Sequence, residues 1–384
     1  MMEPAPIEHL SVLRAKSGAE VDKEIYAFKD KGGRDVGLRF DLTVGMTRYV
    51  CARRDLRPPI KLASLAGAWR YDEPQHARYR WFRQWDLEIF GPPSIEADAE
   101  VVEASYRLFE RLGLRHVSVQ IGDRGVVQHF VSRVLRIEGT EKAVEMMRAL
   151  DKVQKKSLKD LQTEYTAKGF RPGDIDRLFE FGSIRGAPGK VLSRLVEDKA
   201  ESPALEEIAD IMKGRGIEVE FNIGVVRGID YYTGLVFEVI DGAHPDLGSL
   251  AGGGRYDLLP GAFGRPDLSA TGAAGGMERI ALSLSEDSMQ LSPTVYVVVA
   301  SKMARDESYR ILRELRDRGV PAEGALQERT IAKQLEDASR MGVSWAIVLG
   351  EREIKAGKVT LRNMTKRTEE LVPFDSALSR IVHA

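Results

Sequence analysis

A single cysteine, Cys51, stands among 384 residues. That excludes an internal disulfide and a cysteine-based zinc site, and it fits a reducing compartment. No excess of one charge is present either: 57 basic against 58 acidic residues leave a formal net charge of -1. No global field therefore marks a nucleic-acid binder, and any RNA contact has to come from local patches. None of the six histidines forms a His-x-x-x-His pair and no Ser-His-Asp arrangement can be argued, so no metal held by protein side chains is expected. Met1 to Arg14 carries Glu3, Pro4, Pro6 and Glu8 and no long apolar run. The expectation is neither signal peptide nor membrane span, and a cytoplasmic protein. Internal repeats and low-complexity segments are lacking as well.

What is there is an apolar content of 43%, enough for a large core and for two or three domains. Residues 1–125 mix strand-like runs with one helix, in which Val101, Val102, Leu108, Phe109 and Leu112 recur at helical spacing. Residues 126–216 turn helical and charge-rich with no convincing strand, as in Glu141 to Arg148, and read as an insertion. Strand character returns in 217–284, at Val219 to Ile240 and Gly252 to Tyr256, and Ala270 to Leu284 reads as glycines leading into an apolar helix. The polar stretch 285–293 reads as a linker. In 294–384 apolar strands at Thr294 to Ala300 and Trp345 to Leu349 alternate with helices at Arg305 to Arg318 and Thr330 to Met341, a βαβ pattern with a mostly parallel sheet.

Three polar clusters and two glycine-rich segments interrupt the apolar runs. Arg227-Gly228-Ile229-Asp230-Tyr231-Tyr232 sets a guanidinium, a carboxylate and two phenols between Val225, Val226 and Leu235 to Val239. Those flanks read as buried strand, so the polar groups either line a pocket or form an ordinary hairpin at Thr233-Gly234. Between Leu62 and Gly91 a strand, a polar loop and a second strand follow one another. Phe82, Gln84, Asp86 and Glu88 share one face of the second strand, opposite Trp85, Leu87 and Ile89. An aromatic plane, an amide and two carboxylates suit a stacked base beside a cationic amine, and Arg70 and Arg78 suit a bidentate grip on phosphate or carboxylate. The bland alternative is a solvated hairpin laced with ion pairs. Arg39-Phe40-Asp41-Leu42-Thr43 could by itself be only a turn with a helix cap. Gly252 to Asp257 reads as a glycine-rich loop without P-loop spacing, and Ala274 to Ile280 as a glycine turn entering a helix. Arg279 in that first turn opposes the helix dipole, which calls for a partner such as phosphate.

Together these segments resemble the histidyl-tRNA synthetase family of class II aminoacyl-tRNA synthetases. Trp69 to Gly91 is similar to motif 2, Arg227 to Tyr232 and Gly253 to Asp257 to the two histidine signatures, and Ala270 to Ile280 to motif 3. The segment after Pro293, with Val348-Leu349-Gly350-Glu351, resembles the family's anticodon-binding domain. The resemblance implies an α+β protein: an antiparallel-sheet catalytic domain with a helical insertion, then a small α/β anticodon-binding domain. It implies a ligase that converts L-histidine and ATP, with its accompanying Mg2+, to histidyl-adenylate and pyrophosphate and then charges tRNA(His).

By the same resemblance Arg227 and Arg70 are catalytic, and both contact the α-phosphate region. Asp41, Leu42, Thr43, Gln84, Glu88, Tyr231, Tyr232 and Tyr256 bind histidine. Arg70, Asp72, Arg78, Phe82, Arg227 and Arg279 bind ATP, with Phe82 stacked on adenine. A homodimer is implied too, built in the family through motif 1, of which this chain carries the end, with Pro6 in the place of the motif's proline. In motif 2, Asp72 and Glu73 stand where many members have Glu and Arg. Two other readings share part of the pattern. One is a binding protein like the regulatory subunit of ATP phosphoribosyltransferase. The other is an RNA-binding protein in which only the last domain works, through Lys355, Lys358, Arg362, Lys366 and Arg367.

Overall fold

The computed structural model describes residues 1–16, 21–73, 77–152, 156–226, 232–284 and 295–382. The chain divides into two compact units, Met1–Ser285 and Glu286–Ala384. The expected linker, 285–293, lies outside the described residues.

In the first unit, β1 (Ile7–His9), β2 (Ala27–Lys29) and β3 (Asp35–Leu38) form a small antiparallel sheet in the order β1-β3-β2. Among the described residues a larger sheet gathers β4 (Ile60–Trp69), β5 (Trp81–Gly91), β6 (Val117–Asp123), β7 (Arg185–Gly186), β8 (Val219–Asn222), β9 (Leu235–Asp241), β10 (Ser249–Arg255) and β11 (Ser269–Gly276). Its order is β4-β5-β11-β10-β9-β6-β8-β7. All pairings are antiparallel except β6 with β8. β4 and β5 pair without interruption from Ile60↔Phe90 to Trp69↔Trp81, so they form a long hairpin.

The helix Ile95–Arg111 crosses the sheet. Glu96 and Asp98 lie in its first turn, where carboxylates complement the dipole, and Ala99, Val101, Val102 and Phe109 enter the core. The stretch 126–216 is helical as its charge pattern implies. Pro172, Pro188 and Pro203 open three of its helices, where a missing N–H costs nothing. Met146, Leu161, Tyr165, Leu178 and Leu195 join the large core of the unit.

Three local expectations are corrected. The insertion does contain a strand: β7 is two residues long and pairs with Asn222 and Phe221 of β8, too short to leave an alternating pattern. Val225 and Val226 are buried but lie outside any strand. The glycines of Ala274 to Gly276 close strand β11 rather than form a turn, while Gly252 to Arg255 lies in strand β10 in keeping with its strand character. A Cβ on Gly253 would meet the Gly272 carbonyl oxygen at 2.3 Å and the Phe237 ring at 2.6 Å, so close strand packing requires glycine there.

In the second unit β12 (Val295–Val299), β13 (Ala322–Gly324), β14 (Trp345–Leu349), β15 (Val359–Asn363) and β16 (Thr368–Val372) take the order β13-β12-β14-β15-β16. β13, β12 and β14 are parallel, whereas β15 and β16 add an antiparallel hairpin whose short turn permits no crossover. That hairpin carries part of the basic stretch, and its Arg362 pairs with Glu369 at 2.5 Å.

Candidate active site

Two adjoining cavities open on the face of β5 and β11 in the first unit. The smaller, about 140 Å³, is lined by Asp41, Thr43, Gln84, Glu88, Tyr232 and Tyr256, with Arg70 and the β11 residues Gly272 to Ala274 completing its wall. Strand alternation delivers Gln84 and Glu88 to this face together with Asp86, and all three are buried. Asp41 and Thr43 arrive from another direction, at the start of the helix Thr43–Ala52, where Asp41 accepts a hydrogen bond from Val44 N at 3.3 Å.

The chemistry of this cavity is that of buried, mutually satisfied polar groups. The Tyr256 hydroxyl donates to Glu88 Oε2. Burial, and then the Glu88 charge beside it, pushes the Tyr256 phenol well above its usual value; burial with Glu88, Asp41 and Asp86 does the same to Tyr232. Both phenols therefore stay protonated donors through neutral pH. Gln84 Nε2 donates to Asp86 Oδ1 at 2.8 Å and Thr43 Oγ1 to Asp86 Oδ2 at 3.3 Å. Gly272 makes room for Glu88: a Cβ there would lie 1.6 Å from Glu88 Oε2 and 2.7 Å from the Leu87 carbonyl oxygen.

The larger cavity, about 230 Å³, is lined by Arg70, Asp72, Arg78, Phe82, Glu278 and Arg279 among others, and Arg70, Gln84 and Ala274 line both. The Arg70 guanidinium lies over the Phe82 ring at 5.0 Å, and its Nε donates to the Phe40 carbonyl at 3.0 Å. Arg78 and Asp72 form an ion pair at 3.1 Å with the arginine 44% exposed. Glu278 accepts from Arg83 N at 2.8 Å, which ties the entering helix to the edge of β5. Arg279 Nη1 donates to the Ser249 carbonyl at 2.9 Å. Basic and aromatic groups that are partly exposed suit a nucleoside triphosphate; buried carboxylates and phenols suit a small cation.

Of the sequence-predicted site residues, Asp41, Thr43, Gln84, Glu88, Tyr232 and Tyr256 line the smaller cavity, Asp72, Arg78, Phe82 and Arg279 the larger, and Arg70 both. Leu42 is buried, and its side chain packs with Met46 and Ala66 and is not among those lining either cavity. Arg227 and Tyr231 lie outside the described residues.

Sequence reasoning left four contributors unassigned. Asp86 was visible in the strand alternation, and Gly272 and Glu278 only as parts of runs. Arg255, in the second histidine signature, reaches Asp98 Oδ2 at 2.7 Å, which joins β10 to the helix Ile95–Arg111 next to Tyr256. No local pattern pairs residues so far apart. Arg39 likewise braces the strand before Asp41: its Nε donates to the Gly67 carbonyl at 2.7 Å, its Nη1 to the Pro4 carbonyl, and its Nη2 to Glu3 at 2.8 Å.

Residues 1–280 match the family model described as histidyl-tRNA synthetase, and residues 294–383 match one described as anticodon binding domain. The curated histidine–tRNA ligase of Thermococcus kodakarensis is 34% identical across 98% of this chain and 89% of its own length. That of Pyrococcus furiosus is also 34% identical, across 98% and 90%. Among solved structures, histidyl-tRNA synthetase from Nostoc sp. PCC 7120 superposes with a TM-score of 0.83 at 24% identity, over 99% of this chain and 90% of that one. An ATP phosphoribosyltransferase regulatory subunit/histidyl-tRNA synthetase from Bacillus halodurans C gives 0.71 at 23%, over 91% and 88%. At those identities the two structures speak for the fold alone.

Proposed function

We propose a division of labour between the two cavities from one premise: the chain belongs to the histidyl-tRNA synthetase family. Its reaction is the ATP-dependent activation of L-histidine to histidyl-adenylate with release of pyrophosphate, followed by transfer of the histidyl group to tRNA(His). The smaller cavity takes histidine. Asp41, Thr43 and Gln84 accept from its ammonium, while Glu88, Tyr232 and Tyr256 read the imidazole, so an amino acid without ring nitrogens leaves buried polar groups unpaired. The larger cavity takes ATP, with Phe82 against adenine and Arg78 and Arg279 on the phosphates.

The observation that carries this reading is that Arg70 and Gln84 line both cavities. A carboxylate held in one thereby meets an α-phosphate held in the other. That attack needs no strong base, since the nucleophile is already an anion, so catalysis rests on alignment and on cations facing the phosphate. Arg70 supplies the cation at the junction. Arg227, outside the described residues, is assigned to the same phosphate by resemblance.

Mg2+ is proposed to accompany ATP. Among the described residues no group of three or more histidine, cysteine or acidic side chains could hold an ion. One carboxylate in the larger cavity does fit: Glu278 Oε2 is buried without a hydrogen-bond partner among the described residues. When bound, the ion would offset phosphate charge. The resemblance also supports a homodimer acting in the cytoplasm, for which light scattering on the purified chain is the direct check.

Histidine-dependent ATP–pyrophosphate exchange tests the assignment. Arg70→Ala is expected to lower the exchange rate by roughly 100-fold or more while tRNA affinity stays level; unchanged exchange refutes the role. A binding-only subunit is the second reading. Histidine binding without exchange would establish it.

A further inference from the structure

Asp86 sits in the middle of β5, wholly buried. A carboxylate in such a place is costly unless its oxygens are occupied, so its retention asks for a reason. In the sheet it is flanked by small residues, Ala274 on β11 and Ser64 on β4. It accepts from two side chains that line the histidine cavity, Gln84 Nε2 at 2.8 Å and the Thr43 hydroxyl at 3.3 Å.

Each of those donors belongs to a group with two faces. A glutamine amide can offer either NH2 or C=O to a ligand, and a hydroxyl can donate or accept. An ammonium carries three donors and no acceptor, so only the accepting faces can hold it. A carboxylate can only accept, and by taking a hydrogen from both groups it settles their orientation. Gln84 is left with Oε1, and Thr43 with its lone pairs, for the cavity that both line.

We infer that Asp86 is a positioning residue that fixes the hydrogen-bond polarity of Gln84 and Thr43, so that the cavity selects the α-ammonium of histidine. The inference rests on the histidine assignment above. It explains why a neutral amide and a hydroxyl serve a cation where two more carboxylates could have stood. Asp41 supplies charge directly, and Asp86 acts one bond further back, through acceptors of fixed sense.

Asp86→Asn tests it, because asparagine keeps the shape but can donate as well as accept. Gln84 is then released to turn its NH2 group toward the ligand. Calorimetric titration with L-histidine and with the amine-free acid, imidazolepropionate, separates the roles. In Asp86→Asn histidine should weaken roughly 30-fold, while the amine-free acid stays within about two-fold and the KM for ATP is unchanged. In a Gln84→Ala background the further effect of Asp86→Asn should shrink to a few-fold, since the group it orients is gone. Equal weakening of both ligands, an unchanged histidine affinity, or an undiminished effect in the Gln84→Ala background overturns the inference. A wild-type chain that binds the amine-free acid as tightly as histidine overturns the ammonium assignment along with it.

Discussion

The two cavities share a wall but are built on opposite principles. The smaller cavity is lined by buried polar groups bonded to one another: Glu88 to Tyr256, Gln84 and Thr43 to Asp86. The larger cavity lies at the loop end of the β4–β5 hairpin and is lined by arginines, among them Arg78, which is 44% exposed. A buried network discriminates because each unmet bond costs its full desolvation, whereas an exposed charge attracts any phosphate and is screened by salt. On the proposed assignment, selectivity for the amino acid and grip on the nucleotide fall where each kind of interaction works best.

The comparison can be broken most severely on the buried side. Gly272→Ala puts a methyl group onto Glu88 and the Leu87 carbonyl. Displacing the carboxylate that reads the imidazole by about 1 Å is expected to cost roughly 100-fold or more in kcat/KM for histidine. The KM for ATP should hardly move, and steady-state exchange with each substrate varied in turn is the check. On the exposed side Arg78→Ala is expected to raise the KM for ATP by about five-fold, because an exposed pair contributes about 1 kcal/mol at most. Repeating the assay between low and high salt should shrink that difference, and a salt-independent effect would show that Arg78 works in a drier setting than this geometry gives it.

The smallest effect is on stability at alkaline pH. The Tyr232 and Tyr256 phenols are raised above the ordinary tyrosine range, first by burial and then by the Glu88 charge. Above pH 10 the unfolded chain has lost these protons while the folded one retains them, so the folded state binds more protons and stability falls as pH rises. Urea midpoints at pH 9 and pH 11 should show this fall, and it should be shallower in Tyr256→Phe. The Arg78→Ala variant should follow the parent curve.

Much of this site was legible in the chain itself, and the parts that were not share a cause. The face of β5 could be read because strand geometry projects every second residue the same way, so Gln84, Asp86 and Glu88 were grouped before any fold was known. The helix Ile95–Arg111 was legible from its apolar spacing. Val225 and Val226 misled, since an apolar pair reads as strand whether or not a neighbour offers a ladder, and these are buried without one.

The sequence alone determined the family, the order of its elements, and the chemical types that a histidine-activating site requires, because those depend on residue identity and on short-range periodicity. Only the tertiary structure decided which of those residues meet. It set Tyr256 on Glu88 across β10, β11 and β5, made Gly272 the gap that admits the carboxylate, and placed Arg70 on the wall common to both cavities. Those are contacts between segments far apart in the chain, fixed by strand register and close packing, and no local pattern encodes them.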